Sequence, residues 1–256
     1  MPEAADCVIV GGTVCTMDPK RPRAEAVAVR DGRIVYVGDS SGAREFVGSR
    51  AETIDLRGRV ALPGFVESHT HLTMFGQQLE QTDCRELRSI EEIVSALRES
   101  AAKTPPGEWV IGHSYDDTLL REMRHPTRHE LDRASERHPI QVRHITGHNM
   151  AANSAALKLA GISSKTEDPP GGRIDRDAKG EPTGVLWEWA QNLVTPHLPE
   201  ATVDDVRRHL RRGAERYLAA GVTSTVEAAL GFINGRTDAE AFAKVAQTGE
   251  VPLRLG

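Results

Sequence analysis
With 256 residues, 39% of them hydrophobic and 27% charged, the chain is long enough for one large domain or two smaller ones, and its composition is globular, neither disordered nor membrane-embedded. A net charge of −5, mixed in sign, gives no footprint for nucleic acid or an anionic membrane surface. Met1-Pro2-Glu3-Ala4-Ala5-Asp6 lacks the basic and apolar regions of a secretory signal, and no apolar run nears the ~18 residues of a bilayer span, so a cytoplasmic protein is expected. Cys7, Cys15 and Cys84 form no CxxC pair and are expected as reduced thiols.

Residues 6 to 62 read as short strands: Asp6 to Val10, Ala26 to Val29, Ile34 to Val37 and Ala51 to Leu56. Asp31-Gly32 between the second and third is a two-residue hairpin signal. No chemistry is visible in this segment. Next, the apolar run Val60-Ala61-Leu62 meets a Pro63-Gly64 break, and His69 and His71 follow, which is how a buried strand delivers ligands to its end. Side chains alternate along a strand, so the two imidazoles point the same way and suit a divalent metal, zinc above all. Two ligands alone do not close a site that needs ~4.

Ser89 with Glu92 forms a capping box, and Ile90, Ile93, Val94, Leu97 and Ala101 are at helical spacing, which predicts a helix over 90–103. Trp109-Val110-Ile111 reads as a strand with His113 and Asp116 just past it. Thr127 to Arg137 reads as a second capped helix, Ile140 to Ile145 as a strand, and Ser154 to Leu159 as a short helix with Asn153 as its N-cap. Trp187 and Trp189 are expected to pack in a core, and His125, His129, His138 and His197 to lie at the surface. Thr202 with Asp205 caps a helix stopped at Gly221, whose run Arg207-Arg208-His209-Leu210-Arg211-Arg212 reads as a solvated face. Val222 to Val226 is a strand ending in Glu227, followed by a helix over 239–246 and a strand at 251–255.

Pro63-Gly64-Phe65-Val66-Glu67-Ser68-His69-Thr70-His71 resembles the PGxxDxHxH segment of the metal-dependent amidohydrolase superfamily, with Glu67 where many members carry Asp. Glu108 to Asp116, Pro126 to Asp132, Gly147 to Leu157 and Gly180 to Leu186 are similar to landmarks of its family-3 branch, which includes N-substituted formamide deformylases. The resemblance implies an α/β fold: a partial (β/α)8 TIM barrel, first strands only, with an N-terminal β-sandwich segment and an inserted α+β subdomain. The expected divisions are 1–61 for the sandwich part, 62–72 for the first barrel strand, 73–200 for the insertion, and 201–256 for barrel helices and strands two and three.

The same resemblance implies a hydrolase that cleaves a C–N bond of a small molecule by a metal-activated water, holding one or two divalent ions, Zn2+ first, on His69 and His71. His148, His113 and Asp116 are the expected substrate-binding residues, and Glu67 and Glu227 are expected behind the ligands. Later ligands and the general base belong to segments beyond three barrel strands, so the chain reads as the N-terminal half of an enzyme, with a homodimer of the full-length enzyme left open. The competing reading is a non-catalytic fragment, or a half-barrel that assembles with a complementary chain.

Overall fold
The structure is a computed structural model that describes residues 3–256, a mixed α/β fold with several sheets. It divides into two units: residues up to Val66 with Gly221–Ser224, and Glu67–Ala220 with Thr225–Gly256. No helix among the described residues is long and apolar enough to cross a membrane.

In the first unit a four-stranded sheet has the order Arg33–Gly38, Ala26–Arg30, Cys7–Val10, Glu52–Asp55. The Asp31-Gly32 hairpin forms as read: both residues have positive φ (49° and 69°), the pair of left-handed conformations that matches strand twist in a two-residue turn. Val8, Ala26, Ala28 and Ala43 make the core under this sheet. A second sheet of three short strands, Arg23–Ala24, Thr13–Cys15 and Val60–Ala61, takes up the apolar run before the Pro-Gly break. The reading of this segment as strands alone is incomplete, because Ser40–Ala43 is a helical turn. Asp39 caps it, accepting the Gly42 amide at 2.7 Å, a signal present in Asp39-Ser40-Ser41.

In the second unit a six-stranded sheet has the order Gly172–Arg176, Pro182–Glu188, Asn149–Ala152, Ile140–His144, Val110–Tyr115, Thr82–Asp83. Val110–Tyr115 runs parallel to both its neighbours, and the pairings beyond Ile140–His144 are antiparallel. The helix Ile90–Ala101 sets Ile90, Ile93, Val94, Leu97 and Ala101 against Val110, Ile140 and Val142, so the periodic residues form the core face. Ser89 caps it through the Glu92 amide, but the Glu92 carboxylate reaches the Arg88 amide at 2.7 Å, one residue before the cap.

Asn153 is the N-cap of Ser154–Leu159 and is fully buried. Its Oδ1 accepts from the Ala156 and Ile140 amides, and its Nδ2 donates to the Ser135 and His138 carbonyls. The helix read over 127–137 stops at Asp132. Past it, Ser135 Oγ accepts the Arg137 amide and the Ser135 carbonyl accepts Asn153 Nδ2, so side chains partner this backbone outside a helix.

A three-stranded sheet orders Arg254–Leu255, Val222–Glu227 and Phe65–Thr70. Gly256 donates to the Thr225 carbonyl and accepts from the Glu227 amide, the hydrogen-bond pattern of parallel strands. Only Arg254–Leu255 of the strand read at 251–255 pairs, since Pro252 has no N–H to give. The helices Leu72–Gln78 and Val203–Ala219 meet where a Cβ on Gly76 would stand 1.8 Å from the His209 carbonyl oxygen and one on Gly213 2.8 Å from Leu72.

The arginine run on Val203–Ala219 is more than a solvated face. Arg207 pairs with Glu250, Arg208 and Arg212 pair with Glu80, and His209, 5% exposed, places Nε2 3.3 Å from Glu80. His138 is not a surface residue either: it is buried between Ser135 Oγ and the Thr104 carbonyl.

Candidate functional site
The histidine strand begins after the Pro-Gly break, at Phe65, and ends at Thr70. Gly64 is needed there because a Cβ would stand 2.2 Å from Thr223 Oγ1. The expected burial is absent: the strand is the last in its sheet order, and Phe65 and Val66 are 55% and 69% exposed. His69 lies on the strand and His71 is the N-cap of Leu72–Gln78, with φ −120° and ψ 68°. Their rings meet edge to face, with centroids 5.5 Å apart. Glu67 Oε1 accepts the His69 amide at 3.1 Å, so this carboxylate steadies the strand backbone at His69.

Glu227 ends the neighbouring strand with its side chain 5% exposed. Its Oε1 stands 3.4 Å from His71 Nδ1 and accepts the Ala229 amide at 3.1 Å, and its Oε2 accepts the Thr73 amide at 3.4 Å. A small cleft opens here, lined by His71, Thr73, Met74, Glu227, Leu230 and Phe232, among others. The structure therefore brings His69, His71 and Glu227 together at the ends of adjacent strands.

The other sequence-derived residues lie on different elements. His113 is inside the strand Val110–Tyr115, not past it, because that strand runs four residues further than the apolar run implies. It is 5% exposed, its Nδ1 is 2.9 Å from Ser114 Oγ, and burial pushes its imidazole below the ordinary value against the pull of Asp83. Asp116 follows the strand, and the hydroxyl and amide of Thr118 on its Oδ1 hold its carboxyl below the usual range. His148 is exposed and pairs through Nδ1 with Glu188 Oε2 at 3.0 Å.

The sequence from residue 52 to 256 matches the model of the amidohydrolase family. The chain belongs to the amidohydrolase family. It is 33% identical over 261 residues to an N-substituted formamide deformylase of Arthrobacter pascens, covering 100% of this chain and 47% of that protein. It is 36% identical over 236 residues to the protein LONG AFTER FAR-RED 3 of Arabidopsis thaliana, covering 91% of this chain and 40% of that one. Among solved structures, an uncharacterized metal-dependent hydrolase of Pyrococcus horikoshii superposes with a TM-score of 0.71 at 25% identity, over 97% of this chain and 47% of that one. The chain thus spans less than half the length of these relatives.

In this family member a second group lies where no site was expected from the sequence. Tyr115, His125, His144 and Trp187 meet edge to face, with centroids 5.0–5.9 Å apart. The Tyr115 hydroxyl donates to Asn149 Oδ1 at 3.1 Å and stands 3.0 Å from His125 Nδ1, so His125 is no surface residue. Trp187 joins this cluster, whereas Trp189, expected in a core, is 64% exposed. Asp117 Oδ1 is 3.0 Å from His144 Nε2. The available signal was the Asp116-Asp117 pair after one strand and His144 ending the next.

Proposed function
We propose that this chain provides the first metal-holding elements of a metal-dependent hydrolase that cleaves a C–N bond, in an amide, formamide or cyclic amide, of a small molecule. The observation that carries this reading is the His69–His71 pair, with ring centroids 5.5 Å apart, and the buried Glu227 carboxylate on His71 Nδ1. Two imidazoles that bind one tetrahedral zinc at about 2.0–2.1 Å place their centroids roughly 5 Å apart, so the pair fits the ion. Once bound, such an ion lowers the pKa of a coordinated water toward 7 and polarises a carbonyl.

The chain's own residues set up that chemistry. A proton on His71 Nδ1, donated to Glu227, fixes the tautomer that offers Nε2 as ligand. The Ala229 and Thr73 amides orient the Glu227 carboxylate, and Glu67 steadies the backbone at His69. The three-stranded sheet, with helices between its strands, reads as the opening of a (β/α)8 barrel, and residues 73–200 read as an insertion. Similarity to a metal-dependent hydrolase and to a formamide deformylase supports the metal and the C–N bond.

The test is formate release from an N-substituted formamide, and amine release from a simple amide, by the protein as its own cell makes it, supplied with Zn2+. His69→Ala and His71→Ala should each lower kcat/KM by more than about 100-fold with the fold intact. Undiminished hydrolysis in both variants would overturn the reading.

A further inference from the structure
Val110–Tyr115 and Ile140–His144 run parallel and adjacent, with Tyr115 opposite His144, so both strands end at one place. Carboxyl ends of parallel strands are where α/β sheets assemble ligand sites. The register shifts between Gly112 and Tyr115, and Ser114 has φ +63°, a bulge that redirects the chain after it. One carboxylate oxygen each from Asp116 and Asp117 and one His144 ring nitrogen all lie within 4.8 Å of one another.

An independent observation comes from His144 Nε2. The residue is 9% exposed, and Nε2 makes no hydrogen bond although Asp117 Oδ1 is 3.0 Å away. The two atoms are close but not aligned. A buried polar nitrogen without a partner is costly and needs a reason. Donors that share one ion at about 2.0–2.1 Å stand roughly 3 Å apart, which is the spacing of His144 Nε2 and Asp117 Oδ1. On the far side of the ring Nδ1 accepts the Thr146 amide at 3.2 Å and stands 2.8 Å from Thr146 Oγ1. Thr146 thus holds the ring from behind, an outer contact of the kind that orients ligating histidines, while Nε2 faces the Asp117 carboxylate. Thr118 fixes the Asp116 carboxylate, and His125 Nδ1 stands 3.8 Å from the same Asp117 oxygen.

We propose that Asp116, Asp117 and His144 form a binding site for a divalent first-row transition-metal ion, Zn2+ or Mn2+, additional to the His69–His71 pair. Two carboxylates neutralise the ion's charge, and an imidazole among oxygen donors favours a transition metal over Mg2+ or Ca2+. Water completes the coordination.

The experiment is calorimetric titration of the full chain carrying His69→Ala and His71→Ala with Zn2+ alone and with Mn2+ alone, with circular dichroism to follow the fold. About one equivalent of metal should still bind, and Asp117→Asn or His144→Gln in that background should weaken it by at least about tenfold. Asp117→Asn is near-isosteric at a partly exposed position, so it decides the matter if His144→Gln does not fold. No binding in the double-alanine background, or binding unmoved by Asp117→Asn, overturns the proposal and shows His144 and Asp117 to be a simple ion pair. The histidine-pair reading is judged separately, by metal bound to Asp117→Asn with His69 and His71 intact.

Discussion
The carboxylate of Glu227 stands 3.4 Å from Nδ1 of His71, on a side chain only 5% exposed, and so couples the end of one strand to the end of the next. Two backbone amides, of Thr73 and Ala229, hold it in place. A buried carboxylate placed this way selects which imidazole nitrogen faces outward.

Glu227→Gln keeps the volume and removes the charge. Metal affinity at the histidine pair should fall about 10–100-fold with little change in unfolding. Zinc titration of the variant in an Asp117→Asn background checks this, and unchanged affinity would make Glu227 purely structural.

Glu130 links electrostatics to stability. Arg124 bonds it through both terminal guanidinium nitrogens at 2.9 and 2.7 Å, and the Thr127 amide and hydroxyl add two contacts, so its carboxyl is lowered from 4.5 to about 2. The folded state therefore binds this proton less readily than the unfolded chain. Its stabilisation is complete above about pH 4.5 and is lost as pH falls toward 2. Glu130→Gln should cost about 1–3 kcal/mol at pH 7 and flatten the loss of stability in that window, measured by urea unfolding from pH 7 to pH 2.

At the crossing of Leu72–Gln78 with Val203–Ala219, a methyl at position 76 would overlap the His209 carbonyl oxygen, backbone that has no alternative rotamer. Gly76→Ala should destabilise by about 1–3 kcal/mol despite its better helix propensity, read from the midpoint of chemical denaturation.

Asn153→Ala removes a cap and also strips partners from the buried Ile140 amide and the Ser135 and His138 carbonyls. The expected loss is about 2–4 kcal/mol in the same assay, more than a cap alone gives.

Local signals were legible in sequence where one short stretch carries them. Ser154–Leu159 with its Asn153 cap, the Thr202 and Asp205 capping box, and the Asp31-Gly32 turn each depend on neighbours within a few residues. His69 and His71 stand out for the same reason. The Asp117–His144 contact joins residues 27 positions apart through a bulge at Ser114, a backbone conformation that residue type does not announce. His125 and His138 were misplaced because polar neighbours in sequence say nothing about the Tyr115, Trp187 and Thr104 groups that the fold sets against them.

The most direct test of the central claim is anomalous diffraction at the zinc absorption edge from crystals of the protein grown with Zn2+. A peak about 2.1 Å from a ring nitrogen of each of His69 and His71 is the predicted result. Zinc found elsewhere, with none between those two rings, would contradict it.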